Sequence, residues 1–556
     1  MRNRSKLGRR EVLLAGGLAA LTRSCGGTPK GAPPGPLAAP GNADAGAPAA
    51  LEVRATLESV LDKAISVARK AGASYVDARI VRRRSERVAT REDHVVAIDA
   101  GESYGVGVRV IVEGAWGFAA SARVVGEAAE GAARRAVEIA RAARKFQKKP
   151  VELARAEVLT GSWSTDLRID PFEVPLADKA AFLLELWPRV RDVPLVKFAT
   201  GAVEIMGEWK LFASSEGSLL EQTITRIHPS FTVTAVENGK FASRSAEVAP
   251  MQAGWEYVTE GRLIAMAKET GEDAAAKLKA PGVKPGKRDL ILAPSNLWLT
   301  IHESVGHPTE LDRALGLEAN FAGTSFATPD KLGKLKYGAD IVTLYADKTT
   351  PGALATCAWD DDGVKTQKWD LVKDGLFVGY QTTRDQAGWI GEASSRGTSY
   401  AEDWSSVPFQ RMPNVSLAPR QPRAGAGDTR LEDIIAQTDD GVLITGNGSW
   451  SIDHQRYNFQ FSGQMFHEVK KGKVTGPLRD VAYQSNSLEF WSSCDMIGGP
   501  STWQLNGTLH DGKGEPPQSN AVSHGCPPAR FRGVQILNTG GGGRPGLSRE
   551  EEEDMG

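Results

Sequence analysis

The segment Leu299-Thr300-Ile301-His302-Glu303-Ser304-Val305-Gly306-His307-Pro308-Thr309-Glu310 decides how the rest of the chain is read. Two histidines enclose a glutamate and three spacers in the order H-E-x-x-x-H. Imidazole and carboxylate are the ligands and the base that a catalytic zinc uses. The common helical zinc pattern sets its histidines four residues apart, on one helix face. Here they are five apart, which at about 3.6 residues per turn rotates them by roughly 140°. Three features would realign them. Gly306 loosens the backbone before the second histidine. Pro308 removes an amide donor and is expected to push His307 off regular helical angles. A widened π-type turn of about 4.4 residues nearly superposes positions i and i+5. The expectation is a helix distorted or ended at His307, with both imidazoles directed at one ion. Glu303 then serves as general base toward metal-activated water. Glu310 is spaced to orient the His307 ring.

Two histidines are one ligand short of a catalytic zinc set. A second polar cluster, Leu509-His510-Asp511-Gly512-Lys513-Gly514-Glu515-Pro516, is followed by Ser523-His524-Gly525-Cys526-Pro527. Either His510 or Asp511 would complete the set. The competing reading is a buried helix end whose histidines only bond the backbone. His94, His228, His454 and His467 lie in strand or turn contexts and read as structural. No G-x-S-x-G elbow supports a serine hydrolase.

Outward from the motif, Arg288–Ala293 reads as a short buried strand, and Pro294-Ser295-Asn296 as helix-start chemistry. Strand patterns dominate beyond it: Ile341–Tyr345, hairpins at 369–380 and 465–474, and Tyr457–Phe461. The fold class expected is α+β and multidomain. An N-terminal α/β layer domain (51–150) carries helices near 54–71 and 124–146 and alternating valines at 106–112. A middle α/β region (151–285) follows, then a β-rich domain (286–540) holding the H-E-x-x-x-H helix, and a disordered tail (541–556). Gly105-Val106-Gly107 sits inside a strand pattern without a third glycine or helix start, so it is not a nucleotide loop. With 67 basic and 68 acidic residues in 556, no global field favours nucleic acid.

Residues 1–50 read as an export signal and a Gly/Ala/Pro tether. Arg9-Arg10 precede the apolar run Val12–Leu21, which is too short for a transmembrane helix. The arginine pair resembles a twin-arginine signal, placing the protein in the periplasm or cell envelope. Cys25 is a candidate lipid anchor. Cys357, Cys494 and Cys526 show no C-x-x-C spacing and no disulfide framework.

From about 55 to 540 the chain resembles the TldD/PmbA family, most clearly at His302–Asp312, Gly512-Lys513-Gly514-Glu515, Ser523-His524-Gly525 and Pro528-Ala529-Arg530-Phe531. The resemblance implies a zinc-dependent peptidase of TldD type, since PmbA/TldE-type members lack the H-E-x-x-x-H residues and act as partner subunits. It implies peptides or unfolded segments bound in extended form between two subunits, as a homodimer or a heterodimer with a PmbA/TldE-like chain. The third ligand in the family is a cysteine just before Gly-Lys. Here Asp511 stands there, giving His302, His307 and Asp511 as the metal set, a harder one than a thiolate gives. His524 falls in a family-like stretch, where a substrate contact and a plain loop hydrogen bond are equally expected. The loss of the thiolate favours the alternative of a non-catalytic peptide-binding subunit.

Overall fold

The computed structural model describes residues 47–321, 323–422 and 427–540, with side chains from residue 52 onward. The expected export signal, Cys25 and the C-terminal tail lie outside the described residues. Helix α1 (Ala47–Lys70) leads into three long antiparallel strands, β1 (Tyr75–Arg91), β2 (His94–Val112) and β3 (Ala115–Ser121), and then helix α2 (Gly126–Ala143). Val106, Val108, Val110 and Val112 alternate as the sequence suggests, and they bury against Ala129, Ala133, Ala136 and Ala140 of α2.

The middle region does not build a sheet of its own. Strands β4 (Thr160–Ser164), β5 (Val196–Ser214), β6 (Leu219–Glu237) and β7 (Lys240–Ser245) join the first three in one seven-stranded sheet, with β1 beside β5. Helices α3 (Leu176–Leu184) and α4 (Leu263–Lys279) cover its second apolar cluster, built on Val203, Ile205, Phe231 and Val233. One sheet therefore runs across residue 150.

The remaining strands close on themselves. β8 (Gly286–Leu292) pairs parallel with β9 (Asp440–Ile452), and β9 pairs antiparallel with β10 (Asn458–Lys470). β10 continues to β11 (Val481–Asn486), and a later strand at Ala529–Asn538 bonds both β11 and β8 to complete the ring. A closed ring leaves no sheet edge within it. Leu290, Leu292, Ile444, Phe459, Phe461 and Phe531 belong to the same core as Leu297 and Ile301 of the helix that follows β8. Outside the ring, an antiparallel hairpin of β12 (Gln504–Lys513) and β13 (Gln518–Cys526) lies against the strand Asn414–Leu417. Cys357, Cys494 and Cys526 are buried thiols. Among the described residues no helix is long and apolar enough to cross a membrane.

The large sheet and the C-terminal half are joined through buried charge. Arg109 on β2 donates from Nε to Asp77 (2.8 Å) and from Nη2 to Asp362 (2.7 Å), while Lys210 on β5 donates to Asp361 at 2.7 Å. Gly105 and Gly107 also serve this junction. A Cβ on Gly105 would lie 2.2 Å from the Trp404 ring, and one on Gly107 would lie 2.4 Å from the Trp404 carbonyl. The glycine pair admits an indole at this junction.

Removing one member of a buried ion cluster strands its partners, at a cost of about 3–5 kcal/mol. Arg109→Met, which leaves Asp77 and Asp362 buried without their shared cation, is expected to lower unfolding stability by about that amount in chemical denaturation.

Candidate metal centre

Helix α5 (Pro294–Ile301) is buried along its whole length and stops where the histidine motif starts. Its first turn departs from the expected capping. Ala293 is the N-cap, and neither Ser295 nor Asn296 caps the helix. Instead Ser295 Oγ accepts from the Gly446 amide (2.9 Å), and Asn296 Nδ2 donates to the carbonyls of Gly446 (2.8 Å) and Ser462 (3.0 Å). Pro294 at the helix start needs no amide partner, so these side chains pin the helix to the barrel.

Residues His302–Gly306 form a π turn, and the His307 amide donates to the His302 carbonyl five residues back. That turn brings the two imidazoles together, with ring centroids 4.6 Å apart. Two local expectations need correction. His307 keeps helical angles (φ −64°, ψ −43°) in spite of Pro308. Gly306 is helical too, at φ −54°, so backbone freedom is not its contribution. A Cβ there would lie 2.5 Å from Met412 Sδ, so the glycine supplies room. The carbonyls displaced by the wider turn find side-chain donors: Tyr337 Oη to Ser304, Thr309 Oγ1 to Val305, and Gln381 Nε2 to Gly306. A buried carbonyl without a donor would oppose the turn.

Asp511 arrives on β12, 100 residues beyond Arg411, which donates to its Oδ2 at 3.1 Å and also to its carbonyl oxygen. Its other oxygen, Oδ1, lies 3.5 Å from His302 Nε2 and 3.7 Å from His307 Nε2. His510, the adjacent residue, points away: its side chain is 57% exposed and bonded to Glu204 at 2.8 Å.

The hydrogen bonds determine which ring nitrogens face Asp511. His524 Nδ1–H donates to the Val415 carbonyl (2.8 Å), leaving its Nε2 to accept from His302 Nδ1–H (2.8 Å). His307 Nδ1–H donates to Glu310 Oε2 at 3.0 Å, as the spacing suggested. Both Nε2 atoms thus face Asp511, and each offers a lone pair there when that nitrogen is unprotonated. His524 itself is fully buried behind His302 and stacked on Trp298, with centroids 5.9 Å apart. It lies beside a candidate ligand and away from solvent.

A tetrahedral ion with bonds of about 2.0–2.1 Å holds neighbouring donors about 3.3 Å apart. The separations of 3.5 and 3.7 Å are close to that, so Asp511 together with His302 and His307 could hold a small divalent cation. Glu303 also has an oxygen within 4.8 Å of the two imidazole donors. Its Oε2, however, accepts from Arg456 Nη1, whereas Asp511 Oδ1 faces both histidine Nε2 atoms.

Charge is arranged in layers around this set. Burial opposes ionisation of Asp511, but His302 and Arg411 hold its carboxyl well below the usual range. Burial also opposes protonation of His302, and Asp511 nonetheless raises its pKa. Behind His307, Glu310 contacts Arg313 (3.0 Å) and the fully buried Lys513 (3.3 Å). Lys513 donates in turn to Asp312 at 2.8 Å and to Gln410 Oε1 at 2.7 Å.

Three family models match the chain: PmbA/TldA metallopeptidase domain 1 over residues 76–140, the central domain over 169–280 and the C-terminal domain over 285–538. The chain belongs to the PmbA/TldD family of metallopeptidases. It is 27% identical over 423 residues to a metalloprotease of Methanocaldococcus jannaschii, covering 76% of this chain and 89% of that one. It is 25% identical over 344 residues to a metalloprotease TldD homolog of Haemophilus influenzae, covering 61% and 68%. The crystal structure of TldE from Thermococcus kodakarensis superposes with a TM-score of 0.65 at 16% identity, covering 86% of this chain and all (100%) of that one, a likeness of fold. In this PmbA/TldD member, Arg411 and Arg456 reach the centre without any spacing signal in the sequence, whereas Trp298 lies one helical turn before His302. Lys513 was visible only as part of a motif, without a role.

Burial, with the nearby charge of Arg456, depresses the His307 pKa to about 4. Above the unfolded value near 6.5 both states leave it neutral. Between that pH and about 4 only the unfolded chain takes up the proton, so stability is lost as pH falls through this window. In chelator-treated protein the denaturation midpoint is expected to fall over that range, and less steeply in His307→Gln.

Proposed function

We propose that this chain is a zinc-dependent peptidase in which His302, His307 and Asp511 hold the metal and Glu303 is the general base. The observation that carries the reading is the convergence of two oriented Nε2 atoms on Asp511 Oδ1, at 3.5 and 3.7 Å, beside the Glu303 carboxylate. A zinc ion held there would act as a Lewis acid that polarises the scissile carbonyl and acidifies water.

The chain's own groups supply the rest. His524 and Glu310 fix the tautomers of His302 and His307, so that no ring proton competes for the ligand position. Arg411 holds one oxygen of Asp511 and leaves the other directed inward. Glu303 accepts a proton from the attacking water as its oxygen bonds to the carbonyl carbon. It then returns that proton to the amine nitrogen as the C–N bond breaks. His524 is therefore proposed as a positioning residue, in place of the substrate contact the sequence suggested. The substrates proposed are peptides or unfolded segments, with a second subunit, either identical or TldE-like, completing the assembly. The arginine pair Arg9-Arg10 supports export.

Glu303→Gln is expected to keep its zinc by elemental analysis while peptide hydrolysis drops by about 10²–10⁴-fold, the usual weight of a general base. Asp511→Ala should lose the metal, and Asp511→Cys should hold zinc more tightly against a chelator, because thiolate is the softer ligand. Unimpaired hydrolysis in Glu303→Gln would sink the mechanism. A folded wild type that takes up no divalent ion would favour a non-catalytic binding subunit, the role that the missing thiolate suggests.

A further inference from the structure

Four cations surround the proposed metal set, and they differ in access. Arg313 and Lys513 have 0% side-chain exposure and Arg411 has 1%, whereas Arg456 has 16%. Among the described residues Arg456 is thus the cation of this group that can meet an incoming molecule. It sits in the turn between β9 and β10, where its backbone has φ +63°, a conformation seldom taken by a long side chain. The turn is held firmly. Asp453 accepts from the amides of Tyr457 (2.8 Å) and Asn458 (3.0 Å), the Arg456 carbonyl accepts from Ser487 Oγ (2.9 Å), and the His454 carbonyl accepts from the Thr324 amide (2.7 Å). These bonds hold the turn in place and carry the Arg456 guanidinium onto the proposed general base, Glu303.

We propose that Arg456 binds the carbonyl oxygen under attack and stabilises the negative charge that develops there, exchanging Glu303 for this oxygen during the reaction. The inference rests on the peptidase reading above. Its logic is the movement of charge. As the water oxygen bonds to the carbonyl carbon, the π pair of the carbonyl passes to its oxygen, and the water proton passes to Glu303. The carboxylate paired with Arg456 thus becomes neutral in the same step that creates an oxyanion nearby. A cation that follows this charge favours the transition state over the ground state, which is what accelerates a reaction. When the carbon–nitrogen bond breaks and Glu303 gives its proton to the amine, the original ion pair is restored.

The test uses the full chain, zinc-loaded and metal-stripped, with two probes of one sequence: a phosphinic peptide, whose tetrahedral anion mimics the adduct, and the uncut amide peptide. In calorimetry, Arg456→Gln is expected to weaken phosphinic-peptide binding at least about tenfold more than amide binding, and to lower kcat by about 10²–10³-fold with little change in KM, as loss of an oxyanion donor does. Arg456→Lys, which keeps the charge but not the planar fork, should recover part of both. Equal weakening of the two probes, no weakening, or a wild type that ignores the phosphinic peptide would each overturn the proposal. A wild type without metal or hydrolysis would instead sink the peptidase reading. The comparison of the two probes on metal-stripped protein would then still decide whether Arg456 is an anion-binding group.

Discussion

A single backbone hydrogen bond, from the His307 amide to the carbonyl five residues earlier, is the constraint on which the centre depends. With the ordinary four-residue bond the two imidazoles would face directions roughly 140° apart. The wider turn is intrinsically poor, since it loosens packing along the helix axis and leaves carbonyls misaligned. It persists because Tyr337, Thr309 and Gln381 each supply a donor to a carbonyl of the turn, and because Gly306 leaves room for Met412. The turn is thus held by tertiary contacts from several separate segments.

The second requirement is electrostatic. Burying His302, Glu303, His307, Glu310, Asp312 and Asp511 together would be prohibitive without compensation. Arg313, Arg411, Arg456 and Lys513 provide it, and each cation contacts an anion that touches a histidine or is itself the proposed base. The cations therefore do more than neutralise. Arg411 selects which oxygen of Asp511 faces inward, and the Glu310–Arg313–Lys513 group fixes the ring of His307. A carboxylate at position 511 needs such a fixed partner, since an aspartate can otherwise turn either oxygen toward the histidines.

The parts of this organisation that are local were legible in the sequence. The π turn followed from the five-residue spacing, and the Glu310 contact followed from its position three residues past His307. Valine alternation at 106–112 located a strand, and the β-rich C-terminal half was visible in its repeated alternation. What could not be read depends on distance. Arg456 meets Glu303 across 153 residues and Arg411 meets Asp511 across 100, and no periodicity links them. Local reasoning also misjudged Ser295 and Asn296, whose side chains prefer barrel carbonyls and amides to the helix they begin. His524 was found as a motif, but its burial behind His302 is decided by the pairing of β12 with β13.

The closed strand ring carries a consequence for the order of events during synthesis. Strand β8, which launches the motif helix, is flanked on one side by residues 440–452 and on the other by residues 529–538, while Asp511 and His524 lie on a hairpin just before the latter. A growing chain that has made His302 and His307 therefore lacks, for some two hundred residues more, both the third corner of the site and the strand that closes its support. Contacts of such long range form late, after the entropic cost of closing the intervening loop has been met. The metal-facing residues of this chain therefore come together only once nearly all of it has been made.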